Sequence, residues 1–275
     1  HRHEPQELVL EQGNPMQLNG SSIIVTGAGR GVGRALALEF ARCGASVTCC
    51  ARRTHEIDET VAMISAEDGQ GLAVQCDVTC ADQIQHMVNT VLDHFGAIDV
   101  LFNNAGRFAA LGGIWEVDAD SWWQDVTVNL QGVMLCSQAV LPHMMKRNRG
   151  IIINMNGGNQ IPGGTGYSCS KVAVVRLTEL MAKEQEREGT DVLVLGMGPG
   201  FVHTEMTDYQ IQSPEGQKWL PSSKEAIETG RDRPPEDCAR TSAELIRLAC
   251  PELNGRVFGA GMDIAKTLGD LRAGK

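Results

Sequence analysis

A chain of 275 residues, 42% hydrophobic and 21% charged, is long enough to bury one substantial core. Its net charge of −10 argues against a general nucleic-acid or anionic-membrane surface, although a local basic pocket can still hold a phosphate. No apolar run approaches the ~20 residues of a membrane span.

Residues 1–20 are polar and aperiodic, with Pro5, Gly13 and Pro15, and read as an arm ahead of one domain over 21–275. Ser22–Thr26 is the first short apolar run. "TGAGRGVG" follows it and opens a helix in which Leu36 and Phe40 stand one turn apart. That is the context of a phosphate-binding loop: Gly27 makes the tight turn, Gly31 admits backbone close to a pyrophosphate and Gly33 allows close packing. Arg30 and Val32 lie in the same loop, at a helix start whose free N–H groups attract anions. The second run, Ser46–Cys50, ends in Ala51, Arg52 and Arg53. Selectivity for the unphosphorylated dinucleotide calls for an Asp or Glu there. Arg52 and Arg53, with Arg30, instead suit a 2′-phosphate, so NADP(H) is expected over NAD; the alternative is solvated surface charge.

Leu72–Cys76, Asp99–Asn103, Gly150–Asn154 and Val192–Met197 complete the apolar runs. Most are apolar on both faces, as parallel strands covered by helices are. Between them, Val174, Leu177 and Met181 keep helical spacing. Strand alternating with helix throughout predicts an α/β fold, a single doubly wound parallel sheet flanked by helices. Thr207–Pro235 is the longest irregular segment and a candidate substrate loop, after which Pro234 and Pro235 start a helix running to Ala249. The nine cysteines are scattered, with no CxxC pair, and Cys76 and Cys80 have no histidine nearby in sequence. Free thiols in a reducing cytoplasm, and no metal, are expected.

Six motifs occur in one order: "TGAGRGVG", "CDV" at Cys76–Val78, "NNAG" at Asn103–Gly106, "VNL" at Val128–Leu130, "YSCSK" at Tyr167–Lys171 and "PGFVHTEM" at Pro199–Met206. Together they resemble the short-chain dehydrogenase/reductase family over Ser22 to Gly261. The resemblance implies a Rossmann fold and an NADP(H)-dependent oxidoreductase interconverting a ketone or aldehyde and an alcohol. It implies a small-molecule substrate, no nucleic acid or membrane partner, and a homotetramer or homodimer. By the same resemblance, Asp77 and Val78 meet the adenine, and Asn104, Ala105 and Gly106 run along its ribose. Asn129 holds a water, Tyr167 and Lys171 are the acid/base pair, and Pro199, Val202 and Thr204 orient the nicotinamide. Tyr167 and Lys171 are four apart, which on a helix puts both on one face; an ammonium there lowers a phenol's pKa.

One departure stands out. The family carries a serine after the fifth strand to polarise the carbonyl, but here Asn156, Gly157 and Gly158 occupy that stretch. Thr165 is the only hydroxyl between Ile153 and Gly166, and it is too close to Tyr167 to be a good substitute. Either the Asn156 amide or a glycine N–H supplies the donor, or the chain is a catalytically weakened or silent NADP-binding regulatory protein. The other catalytic positions are intact, which favours a retained oxidoreductase. His203 lies within the nicotinamide segment and is a candidate substrate contact, while Trp115, Trp122 and Trp123 are expected in the core.

Overall fold

The six apolar runs are all strands, with bounds within two residues of those expected, in a computed structural model that describes residues 16–158 and 160–274. They are β1 (Ser22–Thr26), β2 (Ser46–Ala51), β3 (Gln70–Gln75), β4 (Val100–Asn103), β5 (Gly150–Met155) and β6 (Val192–Gly198). A seventh, β7 (Val257–Gly259), was too short to give a sequence signal. All pair in parallel, in the order β3-β2-β1-β4-β5-β6-β7. The order reverses between β1 and β4, where crossovers leave in opposite directions and their carboxyl ends open a crevice.

Both sheet faces are covered, which is why the strands lack alternation. Alternate residues of β1 and β4, such as Ile23 and Phe102, pack under α1 (Gly31–Arg42), α2 (Thr54–Ala66), α10 (Pro235–Leu248) and α11 (Ile264–Arg272). Ile24, Leu101 and Ile152 face α3 (Ala81–Phe95), α5 (Gly132–Arg147) and α6 (Thr165–Glu188) instead. Among the described residues no helix is long and apolar enough to cross a membrane.

Two expectations change. The arm falls mostly on residues outside those described, but at its end Met16 and Leu18 are buried in the core. The segment read as irregular over Thr207–Pro235 holds three short helices: α7 (Glu205–Gln212), α8 (Pro214–Trp219) and α9 (Pro221–Glu228). Local chemistry explains them. Thr204 and Thr207 form a capping box at α7, Ser213 caps α8 by accepting from the Gly216 N–H at 3.0 Å, and Pro214 and Pro221 occupy first turns. Turn-forming residues here mark helix starts rather than loop.

β4 and β5 carry buried amides beside the apolar residues. Asn103 Nδ2 donates to Asn154 Oδ1 at 2.9 Å, and Asn154 Nδ2 donates to Thr178 Oγ1 of α6 at 2.9 Å. This chain of bonds fixes α6 against the sheet. Thr178→Val keeps the shape but strands the Asn154 donor, and is expected to cost about 1–3 kcal/mol in chemical unfolding. A loss well below that range would show that the bond does not anchor the helix.

Candidate active site

A cleft of about 910 Å³ lies over the crevice between β1 and β4. One end is shaped by glycine. Gly27 and Gly31 have φ of +67° and +52°, and a Cβ on Gly33 would collide with the Gly27 carbonyl oxygen. α1 starts at Gly31 with no side-chain cap and no acid in its first turn, and Gly31, Val32 and Gly33 line the cleft. Uncapped N–H groups at the positive end of a helix are the donor set that a pyrophosphate needs, so this cradle fits a dinucleotide. Asn104 ties the cradle to β4: its Nδ2 donates to the carbonyls of Thr26 (2.9 Å) and Gly27 (3.2 Å). Thr26 Oγ1 in turn accepts from the N–H groups of Asn104 and Ala105, both at 3.0 Å. Asn104, Ala105 and Gly106 therefore form one wall.

Arg30, Arg52, Arg53, Asp77 and Val78 line the same cleft beyond the cradle. Arg53 pairs with Glu56 at 2.5 Å, and Arg30 pairs with Glu205 at the start of α7. Burial pushes the Glu56 carboxyl up, but Arg53, Arg30 and His55 outweigh it and hold the group below its ordinary range. Arg52 has no ion pair among the described residues. Pro199, Val202 and Thr204 follow β6 and line the opposite side. His203 lines it too, with Nε2 2.6 Å from the Asp208 carboxylate.

The first turns of α6 put Tyr167 and Lys171 on one face. The Tyr167 ring stacks on Phe108, with centroids 4.3 Å apart and planes 12° from parallel. Lys171 Nζ donates to the Met155 carbonyl at the end of β5 at 2.9 Å and lies 5.7 Å from the Tyr167 ring centroid. Burial pushes the phenol up to about 12, helped by the Asp125 carboxylate, and burial pulls the Lys171 ammonium down to about 8. The lowering of the phenol expected from Lys171 is thus overridden by desolvation. The Tyr167 hydroxyl has no hydrogen-bond partner among the described residues, yet it is not sealed from the cleft.

Asn156 and Gly157 both line the cleft, just past the end of β5. The Asn156 amide atoms are buried with no partner among the described residues, and the group lies against Gly196 of β6. Gly157 faces the phenol: a Cβ there would collide with the Tyr167 hydroxyl. Thr165 is engaged elsewhere, accepting from Trp122 Nε1 at 3.0 Å.

Asn129 sits in a π-turn, Thr127–Gln131, between α4 (Ala119–Val126) and α5. Its amide accepts from the Arg107 N–H and donates to the Arg107 carbonyl, both at 2.8 Å, and donates to Ser170 Oγ at 3.1 Å. Fully buried, it joins the turn after β4 to α6 and is a positioning residue. Sequence reasoning missed its companion, Asp125. That buried carboxylate pairs with Arg107 and accepts from the N–H groups of Ala109 (3.2 Å) and Ala110 (3.0 Å), fixing the loop that lays Phe108 on Tyr167. Nothing in the spacing of Arg107 and Asp125 announces the pair. The tryptophans also depart from expectation: Trp115 and Trp123 are 75% and 61% exposed, and Trp115 packs on Trp219 of α8. Trp115 thus packs on α8, and Trp123 stands edge-on to Trp122 of its own helix, rather than in the core.

A family model described as short chain dehydrogenase matches residues 21–215. A short chain dehydrogenase of Pseudocercospora fijiensis is 33% identical over 264 residues, covering 92% of this chain and 84% of its own. A 3-oxoacyl-[acyl-carrier-protein] reductase of Thermotoga maritima is 35% identical over 251 residues, covering 89% and 97%. Meso-2,3-butanediol dehydrogenase of Serratia marcescens is 33% identical over 243 residues, covering 87% and 92%. Among solved structures, a Phe-to-Trp variant of actinorhodin polyketide ketoreductase with NADPH superposes with a TM-score of 0.78. It is 27% identical, and the match covers 90% of this chain and 97% of that one.

Subtracting the alkaline ultraviolet titration of Tyr167→Phe from that of the wild type isolates the buried phenol. Its absorbance change is expected with a midpoint of about 12. A midpoint below the ordinary 10.0 would show that the ammonium, not burial, governs this group.

Proposed function

This chain belongs to the short-chain dehydrogenase family, and on that premise we propose that it interconverts a ketone or aldehyde and its alcohol with NADP(H), Tyr167 serving as acid and base. The Tyr167 hydroxyl carries the reading: it is unpartnered among the described residues, open to the cleft, and flanked by Lys171. A bound nicotinamide supplies hydride to the substrate carbon, or takes it in reverse. As the carbonyl oxygen gains charge, Tyr167 donates first a hydrogen bond and then its proton. Burial keeps the phenol protonated at neutral pH, and an alkoxide is a far stronger base than the phenolate it leaves. The Lys171 ammonium, fixed by the Met155 carbonyl, stabilises that phenolate and has further N–H donors for the ribose hydroxyls.

Gly157 brings no hydroxyl, so Tyr167 both polarises the carbonyl and protonates it. Removing one oxyanion donor from such a site slows turnover by roughly 10²–10³, and a slow enzyme is expected. For the cofactor, Arg52, Arg53 and Arg30 would hold a 2′-phosphate, with no carboxylate at Ala51 to accept from a ribose hydroxyl. The ketoreductase bound to NADPH supports the same choice. Nine free cysteines support a reducing, cytoplasmic setting.

Tyr167→Phe is expected to bind NADPH with little change and to lose turnover by roughly 10²–10⁴-fold in a carbonyl panel. Wild-type protein that binds NADPH and reduces nothing in that panel would instead be a silent NADP-binding protein. Arg52→Ala with Arg53→Ala is expected to weaken NADPH by about 10–100-fold while sparing NADH; equal losses would remove the 2′-phosphate role. Lys171 is cationic below about 8 and neutral above it, so kcat/KM for reduction is expected to fall as pH rises through that value. A profile flat across it would take Lys171 out of the proton step.

A further inference from the structure

Past Tyr167 the cleft is walled by Phe108, Ile161, Met206 and Leu220, all apolar. Gln210, on α7, interrupts that wall. Only 5% exposed, it lines the cleft, and its amide makes no hydrogen bond among the described residues, while neither amide atom is sealed off. The contrast with Thr207, one turn earlier, is informative. Both are buried residues of α7, but the Thr207 hydroxyl is satisfied by the capping box, accepting from the Thr204 N–H at 2.7 Å. An amide open to the cleft loses its water when a ligand fills that space, so an apolar ligand group there would leave it unpaired.

We propose that the substrate is a ketone with an apolar body and one distal hydrogen-bonding group, and that the Gln210 amide binds that group. The inference rests on the oxidoreductase reading above and assigns the specificity of the same site. An amide both donates and accepts, so a hydroxyl or a second carbonyl satisfies it. A site built to bond such a group discriminates against the analogue lacking it, because the buried amide is then left unpaired.

The test uses the full chain with NADPH and matched pairs of ketones with aromatic, alicyclic and long aliphatic bodies, each with and without a distal hydroxyl. Wild-type kcat/KM is expected to favour the hydroxylated member of at least one pair by about 10–100-fold. Gln210→Met, of similar length and without the amide, should bring that ratio to near one, and Gln210→Asn should keep part of it. NADPH binding by fluorescence reports that each variant is folded. A ratio that survives in Gln210→Met overturns the proposal, whether both members fall equally or neither changes. If ketones are reduced without discrimination, the Gln210 assignment alone falls; if NADPH binds and no ketone is reduced, the oxidoreductase reading falls with it.

Discussion

One buried ammonium organises the reactive end of this molecule. Lys171 leaves α6 and donates to the Met155 carbonyl, the last residue of β5, at 2.9 Å. A lysine buried to this degree survives only where its N–H groups find acceptors, so the strand end and the helix face must stay in one register. That register puts Tyr167, one turn earlier, beside the crevice at the reversal of strand order. The same burial acts on both groups in opposite directions, up to about 12 for the phenol and down to about 8 for the ammonium. The phenol therefore holds its proton more firmly, and the ammonium less firmly, than either would in water.

The supports of this pair are polar and mostly out of reach of substrate. Asn129 links the backbone of Arg107 to Ser170, and Ser170 Oγ donates to the Tyr167 carbonyl at 2.6 Å. Asp125 holds Arg107, Ala109 and Ala110, and so decides where Phe108 lies. Phe108 in turn fixes the plane of the phenol by stacking. The π-turn at Thr127–Gln131 gives this device its form: the wider turn lets Asn129 face inward where the rest of the helix is committed to packing. The placement of the Tyr167 phenol thus depends on groups spread over several elements of the fold.

Much of this was legible in the residues, and what was not has a physical reason. The strands of the central sheet announce themselves as short apolar runs because both faces are covered, and the glycine cradle because Gly27, Gly31 and Gly33 each answer a steric demand. β7 escaped notice because three residues carry no period. Thr207–Pro235 read as irregular because serine and proline begin helices as readily as they make turns. Arg107 and Asp125 were invisible because a long-range ion pair leaves no local pattern.

Gly157 changes how the missing serine is understood. The buried Asn156 amide lies against Gly196 of β6, whereas Gly157 lies against the Tyr167 hydroxyl. Glycine is also required by what now fills the space: any Cβ at Gly157 would meet the Tyr167 hydroxyl as it is placed. The Tyr167 hydroxyl occupies that space, and Phe108 stacks on its ring. Restoring serine without moving the phenol would therefore put two hydroxyls in one place rather than rebuild a pair. The glycine and the stacked tyrosine are one arrangement, and beyond it the cleft continues along the wall formed by Phe108, Ile161, Met206 and Leu220.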